Sequence, residues 1–464
     1  MAGMSIGGLA SGLDTAGIVD QLIAVESNQK SLLASRLSAT QSQAGAYRAI
    51  NTRFDALRSA AEAVTKAATW QLTKATSSAS SVTAASVGGA SSGSVTFTVD
   101  QVARAHSAVS ATTWTATAGQ TADDVDYGAT SLQLEINGAS STIDLDRNGD
   151  GTATLAEAAA AINAAGLGVT ATALKTSDTE YRMSLTSTAT GAASAFTATG
   201  FTTATQGRNA QITVGDPATG YSISSPTNTF SGLIAGTTIT VTKPEAGVTV
   251  DVAADPDAVA AKIESLVTAA NGLLESIDSY TSATSTAAVL KGDSTLRRLA
   301  TQTLDVLAYA IGGDGSAASV GLQLTKDGRY SFDKTAFTAK LEADPALVKR
   351  MFDGTAATAG DDGDLATTAD NGTASVGIAA KLLSLATSAT DSTMGSLIAL
   401  AKGADARATS LQDSIDAWDL RLDMRRQTLT RQFTAMETAL SSMQNQANWL
   451  SAALGSLPSS AKQS

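Results

Sequence analysis

Apolar positions near the end of the chain recur in alternating steps of four and three. Leu411, Ile415, Trp418, Leu422, Leu429, Met436, Leu440, Met443, Leu450, Leu454 and Leu457 keep that spacing, and Arg425, Gln432 and Ala447 stand in its gaps. The pattern predicts one apolar stripe along a long helix. At the other end Ile18, Leu22 and Val25 begin a similar stripe, which Tyr47, Ile50, Phe54, Leu57, Ala61 and Val64 continue after a polar stretch around Gln41 and Gln43. Helices of this kind are held mainly by burial of their stripe, so the two ends should pack against each other or against neighbouring copies. Function is then expected in assembly rather than in a pocket.

Between the ends the hydrophobic period changes from helical to two. Helix should begin after Asp14 or Thr15, either of which can cap it, and run with interruptions to about Thr69. Val95, Phe97 and Val99 alternate with polar residues as a half-buried strand does; Leu132, Leu134 and Ile136 do the same before the turn Asn137-Gly138, with Ile143 and Leu145 returning. A short helix over Leu155–Asn163 precedes strand-like segments at Val169–Leu174, Tyr181–Leu185, Ile212–Val214, Thr237–Val241 and Val248–Val252. Asp255-Pro256 marks the return to helix, with stripes over Ala258–Ser279 and about Thr295–Ala310, and a further helix starts at Asp333 after a small hairpin. Residues 354–376 read as a mobile loop, and helix resumes at Ile378 with a break near Gly403.

The fold class expected is α+β and multidomain: terminal helices paired as a coiled-coil or helical-bundle stalk, with a β-rich head inserted in the middle of the chain. The divisions are 1–40 with 420–464 for the stalk, 41–76 with 251–419 for a helical α+β domain, 77–115 with 207–250 for a β-rich head domain, and 116–206 for an inserted head domain. A chain of 464 residues exceeds one core. Aromatics make up only 4%, and Ala, Ser, Thr and Gly dominate the middle, which disfavours large ligand pockets. The formal charge of −12 disfavours a nucleic-acid partner. No apolar run long enough for a membrane span occurs, Met1–Gly12 lacks the features of a secretory leader, and the absence of cysteine removes disulfides and thiol chemistry.

Three stretches resemble the flagellar hook-associated protein 2 family, the filament-capping proteins. The first is Ile6-Gly7-Gly8-Leu9-Ala10-Ser11-Gly12-Leu13-Asp14 with Ile18-Val19-Asp20-Gln21-Leu22. Thr154–Ser187 is similar to a repeat of flagellins and hook-associated proteins. The third includes Leu290-Lys291-Gly292-Asp293-Ser294 and Arg431-Gln432-Phe433-Thr434-Ala435-Met436-Glu437, followed by Met443 and Trp449-Leu450. The resemblance implies secretion through the flagellar export channel, residence outside the cell at the filament tip, and several copies forming a plate beneath which exported flagellin folds and polymerises. The partners it implies are other copies of the chain, flagellin, the export apparatus and its chaperone, and the junction proteins. A host or surface receptor is a further candidate. The assembly stripe expected to contact sister copies and flagellin is Ile18, Leu22, Val25, Leu422, Leu429, Phe433, Met436, Leu440, Met443, Leu450 and Leu454. Polar seam residues such as Gln29, Arg36, Arg425 and Gln432 should restrict register, and weak seam packing could let a cap step as subunits are added.

One motif fits a metal-binding pattern. Asp146-Arg147-Asn148-Gly149-Asp150-Gly151, five further residues and Glu157 match the calcium loop of EF-hands, with Asp146, Asn148, Asp150, Thr152 and Glu157 as donors. The plainer reading is a strand-to-helix turn closed by a Thr154–Glu157 capping box. No cofactor is required by the sequence, and a structural calcium would at most stiffen the head. His106, the only histidine, is expected at the surface or in a turn. Arg421, Arg425, Arg426 and Arg431 are expected on a solvated face or subunit contact, with Glu26 and Asp20 as candidate partners. An enzyme is not expected; a secreted adhesin using the β-rich head and a hook-filament junction protein are the alternative readings.

Overall fold

The structure, a computed structural model, describes residues 12–216, 219–285, 288–308, 314–355 and 375–455. Its α-helices are α1 (Thr15–Glu26), α2 (Asn28–Thr65), α3 (Leu155–Ala164), α4 (Pro256–Thr281), α5 (Ser294–Ala308), α6 (Lys334–Ala343), α7 (Pro345–Asp353), α8 (Ile378–Thr390) and α9 (Ser396–Gly455). The chain divides into two compact units, one made from the chain up to Thr65 and from Lys262 onward, the other from Lys66–Ala261.

The first unit is helical, and its ends pack together as the stripes require. α2 runs along both α8 and α9, and α1 lies on α9. On α2 the residues Ile50, Phe54, Leu57, Ala61 and Val64 are wholly buried, matching the stripe read from the sequence. The facing surfaces are built largely from small residues, Ala379, Ala386 and Ala389 on α8 and Ala401, Ala404 and Ala408 on α9, which let helix axes approach closely. α7 packs against α8, and Phe337 of α6 meets Phe332 and Phe352 edge to face, with ring centroids 5.4 and 5.9 Å apart. Asn271 of α4 fixes the hairpin Leu322–Leu324/Tyr330–Phe332 by accepting the Tyr330 N–H at 2.8 Å and donating to its carbonyl at 2.9 Å.

Helix punctuation follows local chemistry. Asp14 caps α1 by accepting the Gly17 N–H at 2.9 Å, and Asp333 and Asp344 cap α6 and α7 in the same way. Two expected breaks lie elsewhere. α2 passes through Gln41 and Gln43 without interruption, and the irregularity falls at Ser27, between α1 and α2. α9 passes through Gly403, whose missing Cβ would point into open space; a single exposed glycine costs helix about 1 kcal/mol but removes no hydrogen bond. The break comes before α9, where Asp391 accepts the N–H groups of Thr393 and Met394. The ends of the 354–376 segment pair as two short strands, Gly354–Thr355 with Ser375–Val376. The centre of that segment, the Gly- and Ser-rich start as far as Ser11, Ile311–Gly313 and Leu457 lie outside the described residues.

The second unit contains two β-rich cores. In the first, a five-stranded antiparallel sheet runs Thr73–Ser77, Glu245–Ala254, Gly93–Gln101, Ala210–Val214, Tyr221–Ser225. With the three strands Thr229–Ser231, Thr237–Val241 and Val82–Ser86 it buries Phe97, Val99, Ile212, Phe230, Ile239 and Val250. The second core comprises Leu132, Leu134, Leu145, Leu155, Ile162, Met183 and Leu185. Its strand Glu180–Thr190 pairs with Val169–Ser177 on one side and with Ala105–Ser110 and Trp114–Thr115 on the other, while α3 packs on Val169–Ser177. Asn137 and Gly138 both take positive φ, 51° and 78°, as a two-residue hairpin turn of the primed type demands.

Candidate functional site

The pairing of α1 with α9 is the feature on which the terminal stripes converge. Val19 and Ile23 of α1 and Leu422 and Leu429 of α9 form one buried cluster, with Trp418 and Phe433 packed against it. Flanking charges complete the pairing. Arg426 meets Asp20 at 3.0 Å, Arg425 meets Glu26 at 3.1 Å, and Lys30 and Arg48 of α2 pair with Asp419 and Asp405. The acidic member switches sides along the ladder: it is on α1 for the first two rungs and on α9 for the last two. An antiparallel register is thereby favoured over its slipped alternatives, because a slip of the pairing sets like charges together. Arg421 instead lies over the ring of Trp418, 4.7 Å from its centroid.

The expected assembly stripe is divided by this packing. Leu422 and Leu429 are buried, while Ile18, Phe433 and Leu440 are half-buried. Leu22, Val25, Met436, Met443, Leu450 and Leu454 are exposed, Val25 by 68% and Leu454 by 60%. On α1 the inward face is Thr15, Val19 and Ile23, one position on from the face expected, Ile18, Leu22 and Val25. The large apolar residues of this segment spread over an arc of about 160°, so its spacing admits either face; the positions of Asp20 and Glu26 opposite Arg426 and Arg425 favour the one that turns inward. Beyond Phe433 the helix presents Met436, Met443, Trp449, Leu450 and Leu454 to solvent among the described residues. Arg425 and Gln432 are exposed as well, so they stand at the rim of the seam and not within it.

The loop before α3 satisfies itself. Both Asp146 carboxylate oxygens are engaged, Oδ1 accepting the N–H groups of Gly149 and Asp150 and Oδ2 that of Gly151. Asp150 accepts from the Thr152 N–H and hydroxyl, which hold its carboxyl below the usual range. Glu157 closes the capping box with Thr154 through one oxygen and receives the Asn148 amide at 2.6 Å on the other. The donors thus form a turn whose acceptors are already used, and among the described residues no group of three His, Cys, Asp or Glu is arranged to hold a metal ion. A calcium there would have to replace these internal bonds.

His106 is not on the surface. It is buried at 2% exposure, its Nδ1 accepts the Gly207 N–H at 3.2 Å, and its ring meets Phe196 edge-on at 4.7 Å. The residue alternates inward with Ala108 and Ser110 on one face of the strand Ala105–Ser110, which is why a polar residue enters the core. Burial pushes the imidazole pKa down, opposed by the Phe196 backbone carbonyl. No described helix is long and apolar enough to cross a membrane.

Comparison with known proteins gives a consistent family. A model of the flagellar hook-associated protein 2 C-terminus matches residues 207–445, which is more than half of the chain. A model of the N-terminus of the same proteins matches residues 11–106, and one of the flagellin hook IN motif matches residues 132–189. The lateral flagellar hook-associated protein 2 of Vibrio parahaemolyticus is 30% identical over 154 residues, 32% of this chain; the chain spans only 34% of that relative's length. Among solved structures, the D1–D2–D3 domains of the flagellar cap protein FliD from Escherichia coli are similar, with a TM-score of 0.54 at 24% identity. That likeness covers 78% of this chain and 99% of the other. FliD (HAP2) from Pseudomonas aeruginosa PAO1 is similar over 44% of this chain and 98% of its own, at 22% identity and a TM-score of 0.34.

Proposed function

This chain belongs to the flagellar hook-associated protein 2 family, and on that premise we propose that it caps the tip of the bacterial flagellar filament and promotes folding and polymerisation of exported flagellin. The role is structural and not enzymatic. The observation that carries it is the continuation of α9 past Phe433, with Met443, Trp449, Leu450 and Leu454 exposed on a helix whose earlier turns are buried against α1. An apolar stripe of this length gains stability only from a further surface, and sister copies or flagellin's own helices supply one. Leu22 and Val25 of α1 are exposed as well. The export apparatus with its chaperone and the junction proteins are the remaining partners of this reading.

The test is a deletion strain complemented with the full chain and with a chain whose Met443, Trp449, Leu450 and Leu454 are replaced by Ser. Loss of the gene should send unpolymerised flagellin into the medium, the full chain should restore filaments with label at their tips, and the Ser variant should not. Label confined to the hook, with filament growth independent of the chain, would establish the junction reading instead.

A further inference from the structure

The chain passes from the first core of the second unit to the second through residues 102–104 and returns through 206–209. The two passages are stitched together at one place. Arg104 and Arg208 each donate a backbone N–H to the other's carbonyl, at 2.9 and 3.2 Å, and the Arg104 carbonyl also accepts the Gly191 N–H at 3.1 Å. Beside this bridge Gly207 donates its N–H to His106 Nδ1 at 3.2 Å, while the His106 N–H is held by the Ser187 hydroxyl at 2.8 Å. The seat admits no side chain at position 207. A Cβ there would stand 2.8 Å from the Gly191 carbonyl oxygen and 3.1 Å from the His106 Cβ.

An Nδ1 that accepts a hydrogen bond carries no proton, so neutral His106 holds its proton on Nε2. That nitrogen is buried without a hydrogen-bond partner, and the Phe196 ring closes the site edge-on. A second proton goes to Nδ1, where it points at the Gly207 N–H, and a hydrogen bond becomes an opposition of two donors. The surroundings do not compensate. The flanking ionisable groups, Arg104 and Arg208, are both cationic, and the segments Ala192–Ser194, Phe196–Ala198 and Phe201–Thr205 packed on the strand of His106 carry no ionisable side chain. Glu180 and Arg182 sit at the other end of the strand Glu180–Thr190, where it pairs with Trp114 and Thr115. The Phe196 carbonyl favours the charged ring, and burial outweighs it.

We propose that His106 is a proton-operated latch between the two cores of the second unit: a proton on Nδ1 breaks the bond to Gly207, loosens the adjoining Arg104–Arg208 bridge and lets the cores turn on the two passages. Because Gly207 covers Nδ1, a proton reaches it only as that bond opens, so acid holds the joint in its open state. The working range lies on the acid side of the ordinary histidine value of about 6.5. The inference does not depend on the capping reading.

The experiment is amide exchange of the full chain between about pH 7.5 and about pH 4.5, corrected for the intrinsic rate at each pH, for the wild type, His106→Asn and Gly207→Ala. Asn sets an acceptor oxygen near the place of Nδ1 and takes up no proton, whereas the methyl added by Gly207→Ala forces the seat open at every pH. Acid should raise corrected exchange of Gly191, Gly207 and Arg208 about tenfold in the wild type, while Leu185 and Ile212 in the two cores stay protected. His106→Asn should show no such rise, and Gly207→Ala should exchange fast throughout. The chain has no cysteine, so dyes on Ser140→Cys and Tyr221→Cys report the distance between the cores by energy transfer. That distance should change with acid in the wild type and stay constant with His106→Asn. Joint amides and a dye distance that do not respond by about pH 4.5 overturn the proposal, as does an equal response in His106→Asn. Thermal melting checks that each variant is folded, and either alone suffices, because a Gly207→Ala joint that still responds to acid also overturns it. Protection lost at Leu185 and Ile212 together with the joint overturns it too, since the proton then unfolds the cores instead of releasing them.

Discussion

Arg425 on α9 and Glu26 at the end of α1 stand 399 positions apart in the chain and meet at 3.1 Å. Together with Arg426–Asp20 they fix which face of α1 turns inward, and the structure therefore ties the two ends of the chain in one register.

Each rung of this ladder is solvent-exposed, so its individual contribution is about 0.2–1 kcal/mol. Arg425→Gln or Glu26→Gln should lower unfolding free energy by less than ~1 kcal/mol, with a double-mutant coupling that vanishes in high salt. Asp20→Lys with Glu26→Lys, which places like charges along the seam, should instead raise amide exchange throughout α1. Urea titration and hydrogen exchange measure the two effects.

Val19 and Ile23 carry the α1–α9 cluster, whereas Leu22 and Val25 face solvent. Ile23→Ala should destabilise the α1–α9 pairing by about 2–3 kcal/mol, seen as faster exchange in α1. Leu22→Ala and Val25→Ala should leave that exchange unchanged to within ~0.5 kcal/mol while weakening self-association. Equal loss of protection from Ile23→Ala and Leu22→Ala would contradict the assigned face.

His106 gives the second unit a pH dependence at mildly acidic pH. Its folded pKa is depressed by burial, so the unfolded chain takes up a proton first as the pH falls below about 6.5. Its stabilising contribution is complete above that value and is lost as the pH drops toward the folded pKa. Melting temperature should decline across that window, and His106→Asn should flatten the decline. The exposed Asp124 and Asp150 carboxyls, held below their ordinary range by bonds from Thr121 and Thr152, act only at lower pH, where stability is lost as they protonate.

The capping box at the start of α3 predicts a loss of about 1 kcal/mol for Thr154→Ala. Because the oxygens of Asp146 and Glu157 are already bonded within the turn, millimolar calcium should leave the melting temperature unchanged. A calcium-dependent rise that disappears in Asp146→Ala would show that the Asn148 amide and the Glu157 carboxylate can rearrange into a metal shell.

The long helices were legible because their stripes persist over many turns, and the strands holding Phe97 and Leu134 because large residues alternate with polar ones. The strand Ala105–Ser110 was not, since its buried positions are His106, Ala108 and Ser110 and carry almost no hydrophobic contrast. Phe201–Thr205 carries no strand pattern for a related reason: after its first residue it has only small side chains, and its pairing with Ala105–Ser110 is a matter of backbone bonds. On α1 the stripe was present but ambiguous, because Ile18, Val19, Leu22, Ile23 and Val25 spread over an arc of about 160°, wider than one seam needs. The charges that resolve it lie on a helix at the other end of the chain, beyond the reach of any local window. Arg104 and Arg208 illustrate the same limit, being neighbours only because of strand pairing.

The first strand of the second unit begins at Thr73 and its last ends at Ala254, and these two residues are paired across adjacent strands. Its entrance and exit therefore sit side by side, within about 5 Å. A block of sequence whose two ends are adjacent can be enlarged, exchanged or trimmed as a cassette, since whatever replaces it need only return the chain to its starting point. The surface such a molecule shows to its surroundings can diversify while the helical framework keeps the same core.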